Sequence, residues 1–271
     1  MPEAFGARLS AAVARYGPLC VGIDPHASLL ASWGLPDDVS GLDRFAATTV
    51  EAMAGQVAVV KPQSAFFERH GAAGVAVLER TIRDARDAGL LVLLDVKRGD
   101  IGSTAQAYAD AYLDAASPMQ ADAVTVSPYL GFGSLVPFLE TAERNGGGVF
   151  VLALTSNPEG PEVQHARVGE RSVAGVVLDH LRSRNGSTTP QGSYGAVVGA
   201  TVGDLTEDVA INGPLLVPGL GAQGGTADDL RRLFGHVWDH VVPASSRGVL
   251  AAGPDVAALR AAAAATLDEL R

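Results

Sequence analysis

The chain has a single cysteine, Cys20, which excludes a disulfide framework and a thiolate metal cluster. It has no apolar run near the ~20 residues a membrane helix needs; runs such as Gly89 to Leu94 are strand-sized. The opening Met1-Pro2-Glu3-Ala4 lacks the basic and apolar regions of a signal peptide, so a soluble, cytoplasmic protein with no membrane partner is expected. Positive charge is also short. A net charge of −10 leaves no basic face to displace counterions from phosphates, which argues against nucleic acid as a partner. A small anionic ligand remains compatible, because it needs only a local positive pocket. Scarcest of all is lysine: of 20 basic residues 18 are arginine, and only Lys61 and Lys97 are lysine. The two side chains are not interchangeable where a compact ammonium or a transferable proton is required, so the positions of these two carry information.

What the chain does contain is apolar and periodic. Hydrophobic residues make up 47% and charged residues 18%, enough for a large core and incompatible with disorder or a collagen-like repeat. Short apolar runs alternate with longer helical segments, the pattern of parallel β/α units. Strands are predicted at Leu19–Ile23, Val57–Lys61, Leu90–Val96, Asp122–Val126, Val149–Leu154, Gly195–Ala200, Pro214–Val217 and Val241–Ala244. The segments between them are long enough for crossover helices; in Gly74–Ala88, Val75, Leu78, Ile82 and Ala85 share one face. A last helix is expected from Gly253-Pro254, with proline in its first turn. Eight such units predict an α/β fold, a single (β/α)₈ TIM barrel over residues 1–271, with a doubly wound open sheet as the alternative. Residues 157–194, after the fifth strand, are over-long for a connection. They include a helical piece near Ser172–Arg184 and a run expected to be flexible from Asn185 to Pro190. Loops after strands line the mouth of a barrel, so this segment is either a lid or surface decoration.

Charged residues gather where the strands end. Asp24 follows the first strand, Lys61 ends the second, and Asp95 and Lys97 close the third, with Asp100 just beyond. Asp95 and Lys97 are two apart and so project to one face of the sheet. A lysine between two aspartates keeps its proton, which suits a proton donor better than a Schiff-base nucleophile. The carboxylates repel an anion brought beside them, by roughly 4 kcal/mol for unit charges 4 Å apart at an effective dielectric of 20. Such a site suits a reaction that sheds an anionic group and then protonates the carbanion left behind, and decarboxylation fits that description. After the seventh strand, Pro218-Gly219-Leu220-Gly221-Ala222-Gln223-Gly224-Gly225 contains a G-x-G-x-x-G match, but no acidic ribose partner follows about 20 residues later. Glycines after strand seven and Arg247 after strand eight are instead the parts of a barrel phosphate site; a 2′-phosphate on Arg247 is the alternative.

The run Asp95-x-Lys97-x-x-Asp100-Ile101-x-x-Thr104 resembles the signature of the orotidine 5′-phosphate decarboxylase family. Gly22-Ile23-Asp24-Pro25, Val60-Lys61-Pro62, Thr125 to Gly131, Leu154 to Pro158, the Gln223 loop and Ser246-Arg247-Gly248 match in order. The resemblance covers almost the whole chain and is nearest the longer bacterial branch. It implies that Lys97 protonates C6 of the pyrimidine, that Asp95 sits beside the departing carboxylate, and that Asp100 enters from a partner subunit. It further implies that Lys61 and Asp24 bind the ribose hydroxyls, with Lys61 also in the charged network. Thr104 lies near the ribose across a homodimer interface, Ser156 meets the pyrimidine edge, and Gln223 and Arg247 hold the phosphate. No cofactor and no metal are implied. The chain departs from shorter members in its long segment after strand five and in Ser246 before the arginine, leaving open the lid geometry and the backbone N–H that assists the phosphate.

Three other readings compete. A keto-sugar-phosphate decarboxylase shares an Asp-x-Lys-x-x-Asp run but carries a metal-binding acid on strand two, where this chain has Lys61. A Schiff-base aldolase would be trapped by borohydride. A non-catalytic nucleotide-binding regulator would need Gln223 and Arg247 but not the charged array. His236 and His240 are four apart, yet no third ligand is placed beside them, and solvated or capping roles are expected.

Overall fold

A computed structural model of the chain describes residues 2–203, 205–221 and 224–271. Among the described residues there are ten strands: β1 (Cys20–Ile23), β2 (Val59–Pro62), β3 (Leu91–Arg98), β4 (Ala123–Val126), β5 (Gly148–Leu154), β6 (Arg167–Val168), β7 (Arg171–Ser172), β8 (Tyr194–Val198), β9 (Leu215–Pro218) and β10 (Val241–Ser245). Eight of them close into a barrel in the order β1-β10-β9-β8-β5-β4-β3-β2, and β6 and β7 form a separate antiparallel hairpin. Every barrel pair is parallel. The eight predicted strands correspond to the eight barrel strands, with no end shifted by more than two residues.

Helices α1 (Phe5–Tyr16), α2 (Ala27–Ser32), α3 (Val39–Met53), α4 (Ala65–Glu68), α5 (Gly71–Asp87), α6 (Gly102–Leu113), α7 (Val136–Asn145), α8 (Pro161–Gln164), α9 (Val173–Asn185), α10 (Ala227–Phe234), α11 (Arg247–Leu250) and α12 (Val256–Leu270) complete the chain. Strands buried on both faces read as continuous apolar runs because each supplies two cores. Inside the barrel lie Cys20, Val59, Leu93, Ala123, Phe150, Val197, Leu216 and Val242, one from each strand. Phe5 and Leu9 of α1 join this cluster, and Phe5 meets Phe150 edge-on with centroids 5.9 Å apart. The alternate residues, such as Val21, Val60, Leu94, Val124 and Val217, face the helices. With the interior filled by side chains, a ligand has access only at a rim.

Two expectations need correction, a helix in every crossover and a last helix from Gly253-Pro254. No helix connects β8 to β9; among the described residues, 199–214 form a loop whose Val209 and Ile211 are buried. Arg182 of α9 holds it through the carbonyls of Ala210 (3.0 Å) and Asp208 (2.9 Å). The flexible run expected from Asn185 starts on a buried side chain, whose Nδ2 donates to the carbonyls of Tyr194 (2.8 Å) and Ile211 (2.9 Å). The last helix begins at Val256, capped by the Asp255 carboxylate, so Pro254 precedes the cap. His236 and His240 sit on a 3₁₀ segment, Gly235–His240, broken at Val237, so the helical i, i+4 relation does not apply; His240 Nδ1 lies 3.0 Å from Gln191 Oε1. No helix among the described residues is long and apolar enough to cross a membrane.

Candidate active site

A cavity of about 430 Å³ opens at the C-terminal ends of the barrel strands, and Asp24, Lys61, Asp95, Lys97, Ser156 and Arg247 all line it. Its floor is built around Asp95. Oδ1 accepts from Lys97 Nζ (2.6 Å) and from the Thr125 hydroxyl (2.7 Å); Oδ2 accepts from Lys61 Nζ (3.0 Å). The Gln63 amide turns its nitrogen to Oδ2 (2.7 Å) and its oxygen to Lys97 Nζ (3.2 Å), because the reverse would set oxygen on carboxylate and nitrogen on ammonium. The geometry therefore places an aspartate between two lysines.

Lys61 reaches this position because β1 and β2 are in register, Gly22 opposite Lys61. Lys97 reaches it differently. The β3–β4 register shifts between Leu94 and Arg98, and Lys97 has φ +45°. That left-handed backbone costs a non-glycine residue about 1–3 kcal/mol, and is pinned by the Lys97 N–H donating to Thr125 Oγ1 at 3.0 Å. The lysine thus turns back onto Asp95 while its side chain stays half exposed to the cavity.

The electrostatics follow from burial and pairing. Burial alone raises the pKa of Asp95, but Lys61 and then Lys97 outweigh it and hold the carboxyl well below the usual carboxylate range. Burial alone lowers that of Lys61, and Asp95 followed by Asp24 overcomes it, leaving Lys61 above the usual lysine range. Cys20, on the barrel axis beneath them, is pushed up to about 12 by burial and stays a thiol.

Two polar atoms in the cavity wall have no partner: Asp24 Oδ1 and Ser246 Oγ are both buried and unbonded. Both side chains lie against Gly22, where an added Cβ would lie 2.7 Å from Ser246 Cβ and 3.0 Å from Asp24 Oδ2. Ser246 occupies the N-cap of α11, yet its hydroxyl makes no cap bond. Buried orphans of this kind are costly unless a ligand satisfies them. Arg247, next in the chain, is exposed and makes no ion pair among the described residues. The N-terminus of α10 is, by contrast, already satisfied by a capping box between Thr226 and Asp229; a dinucleotide pyrophosphate would need that helix end free.

Asp100 and Thr104 stand apart from this chain's cavity. Asp100 Oδ1 accepts from the Ile101 N–H (2.8 Å), and Thr104 is exposed in the first turn of α6. Gln223 lies outside the described residues. Thr125 and Gln63 were given no role by sequence reasoning. Gln63 was detectable as the residue two beyond Lys61, on the same strand face; Thr125 declares itself only once β3 bulges.

The closed barrel and the charged floor define a (β/α)₈-barrel enzyme with its cavity at the C-terminal ends of the strands. Residues 17–262 match the family described as "Orotidine 5'-phosphate decarboxylase / HUMPS family". The orotidine 5′-phosphate decarboxylase of a Nocardioides species is 65% identical over 98% of this chain and 98% of its own length; that of Streptomyces coelicolor is 62% identical over 99% and 98%. A Streptomyces avermitilis crystal structure, provisionally assigned the same activity, superposes with a TM-score of 0.97 at 62% identity, covering 99% of this chain and 95% of its own. The Leishmania donovani OMP decarboxylase gives 0.78 at 32% identity, covering 98% and 97%. The chain belongs to the orotidine 5′-phosphate decarboxylase / HUMPS family, and it is a lyase of the decarboxylase type.

Proposed function

We propose that this chain converts orotidine 5′-phosphate to uridine 5′-phosphate and carbon dioxide with no cofactor, using Lys97 as the proton donor to C6. The observation that carries the reading is Asp95 saturated by four donors on the cavity floor, with Lys97 half exposed above it. Arg247 takes the phosphate, together with Gln223 and the unpartnered Ser246 hydroxyl. The free Oδ1 of Asp24 accepts a ribose hydroxyl, Lys61 donates to the ribose, and Ser156 meets the pyrimidine edge. Binding energy at phosphate and ribose, which do not react, positions the base. The substrate carboxylate then lies against Asp95, whose depressed pKa keeps its charge and the repulsion in place. When the C6–carboxylate bond breaks, its electron pair stays on C6 and carbon dioxide leaves; Lys97 Nζ gives C6 a proton and recovers one from solvent. A preset ammonium favours the carbanion-like transition state over the carboxylate ground state. Asp100 and Thr104 act in a homodimer, each reaching the partner's site. Against a metal-assisted keto-sugar-phosphate reaction, β2 offers the Lys61 ammonium where that chemistry needs an acid.

The test follows absorbance loss on orotidine 5′-phosphate with and without EDTA. Equal rates are expected. Activity that disappears with the chelator and returns with magnesium would overturn the metal-free reading. Lys97→Ala should abolish turnover yet retain much of the nucleotide affinity. Arg247→Ala should weaken binding and slow turnover together, since phosphate binding energy is used in the transition state.

A further inference from the structure

The first part of the segment after β5 stands out from the barrel. From Pro161 to Arg171 every residue is exposed except Gln164, which is half buried. Its side chain runs back nine residues to grip Thr155 twice: Oε1 accepts the Thr155 N–H (2.9 Å), and Nε2 donates to Thr155 Oγ1 (2.6 Å). With that lone pair taken, the Thr155 hydroxyl directs its proton to Asn157 Oδ1 (2.6 Å), and Asn157 Nδ2 donates to Glu159 Oε2 (2.9 Å). The chain of donors has one direction, set by the Gln164 amide. Gly160 leaves room for it: a Cβ there would lie 3.1 Å from both Gln164 Oε1 and Thr155 Oγ1.

Thr155, Ser156 and Asn157 all line the cavity. Ser156 therefore sits between two residues whose side chains are locked by this network. Its other side is backed by Gly199, where a Cβ would lie 3.1 Å from both Ser156 N and Ser156 Cβ. The one-turn helix α8 holds Gln164 at the right distance, with Pro161 in its first turn. We propose that Gln164 is a positioning residue that presets Ser156 for the pyrimidine, making this stretch of the long segment a fixed wall of the site. The inference rests on Ser156 meeting the pyrimidine edge. It gives the segment a purpose that is neither closure nor decoration: a staple reaching into the site from outside the barrel.

Wild-type turnover of orotidine 5′-phosphate is measured first, because its absence would count against the decarboxylase reading and not against Gln164. Gln164→Ala removes both bonds to Thr155, and kcat/KM should fall about tenfold with Tm unchanged. Combined with Ser156→Ala, the same substitution should cost less than about twofold, because the residue it positions is gone. Gln164→Glu keeps the acceptor for the Thr155 N–H but cannot donate to Oγ1, so the hydroxyl turns away from Asn157; an intermediate loss of about threefold is expected. Being isosteric, it also carries the test if Gln164→Ala fails to fold. Wild-type kcat/KM in both variants, or the same fold loss with and without Ser156, overturns the proposal.

Discussion

Asp95 has two oxygens and four donors, two of them ammonium groups. Removing Lys61 leaves the buried Asp95 with Lys97 as its one cation and one carboxylate oxygen short of its ammonium, which costs more than the intact pair contributes. Lys61 and Asp95 are 6% and 7% exposed, so solvent does little to relieve such a loss. Lys61→Met should therefore destabilise the fold by about 3 kcal/mol near neutrality, read by urea unfolding at fixed protein concentration. The pH dependence has a definite sign. Asp95 has a folded pKa below its unfolded value, so its contribution is complete above about pH 4 and lost as pH falls further. Lys61 has a folded pKa above its unfolded value, so its contribution is complete below about pH 10 and lost only on the alkaline side. The gap between wild type and Lys61→Met should hold from pH 5 to 9, about the window between those limits, and narrow in acid as Asp95 of the variant, which has lost its larger cationic partner, takes up a proton while the wild-type carboxylate stays charged. A gap that is constant down to pH 3 would show that the stability of the pair is not electrostatic.

The β8–β9 connection shows what a barrel does without a helix at one station. Residues 199–214 still bury Val209 and Ile211 against the sheet, but their backbone has no helical ladder, and α9 supplies the missing bonds through Arg182 and Asn185. Arg182→Ala should speed amide exchange at Ala210 and Ile211 about tenfold and leave the barrel strands protected, since local opening draws on local bonds. Equal acceleration in β8 and β9 would mean that the loop and the barrel open as one unit. Sequence patterns foretold the strands and missed this loop for related reasons. A strand buried on both faces needs a run of apolar residues and announces itself. A loop fastened by a neighbour's side chains needs only a few buried positions, here Val209 and Ile211, and leaves no period. The site divides in the same way. Asp24, Lys61, Asp95 and Lys97 were legible because charge at the end of an apolar strand is costly without a purpose. The bulge that swings Lys97 onto Asp95, and the donors Gln63 and Thr125 that complete it, depend on register between strands distant in sequence.

At the scale of the whole molecule, the proposed charged array lacks its second aspartate within one chain. Asp100 is spent on the N–H of Ile101 and lines no part of the cavity. Around it, Ile101 (62% exposed), Tyr129 (76%) and Leu130 (52%) present large apolar side chains to solvent beyond the ends of β3 and β4. Apolar surface gathered at one rim is what an isologous interface covers, and a two-fold axis there would carry each Asp100 toward the other subunit's Lys97. Such a dimer has two equal sites, each needing Lys97 from one chain and Asp100 from the other. Lys97→Ala and Asp100→Ala homodimers should each be nearly inactive. After subunit exchange, half of the molecules are heterodimers, and in each the wild-type Lys97 of one chain faces the wild-type Asp100 of its partner. One site in two is restored in these, so the mixture should recover about a quarter of wild-type activity. Activity that stays absent once mass spectrometry has shown exchange would place Asp100 in its own chain's site and remove the reason for a shared one.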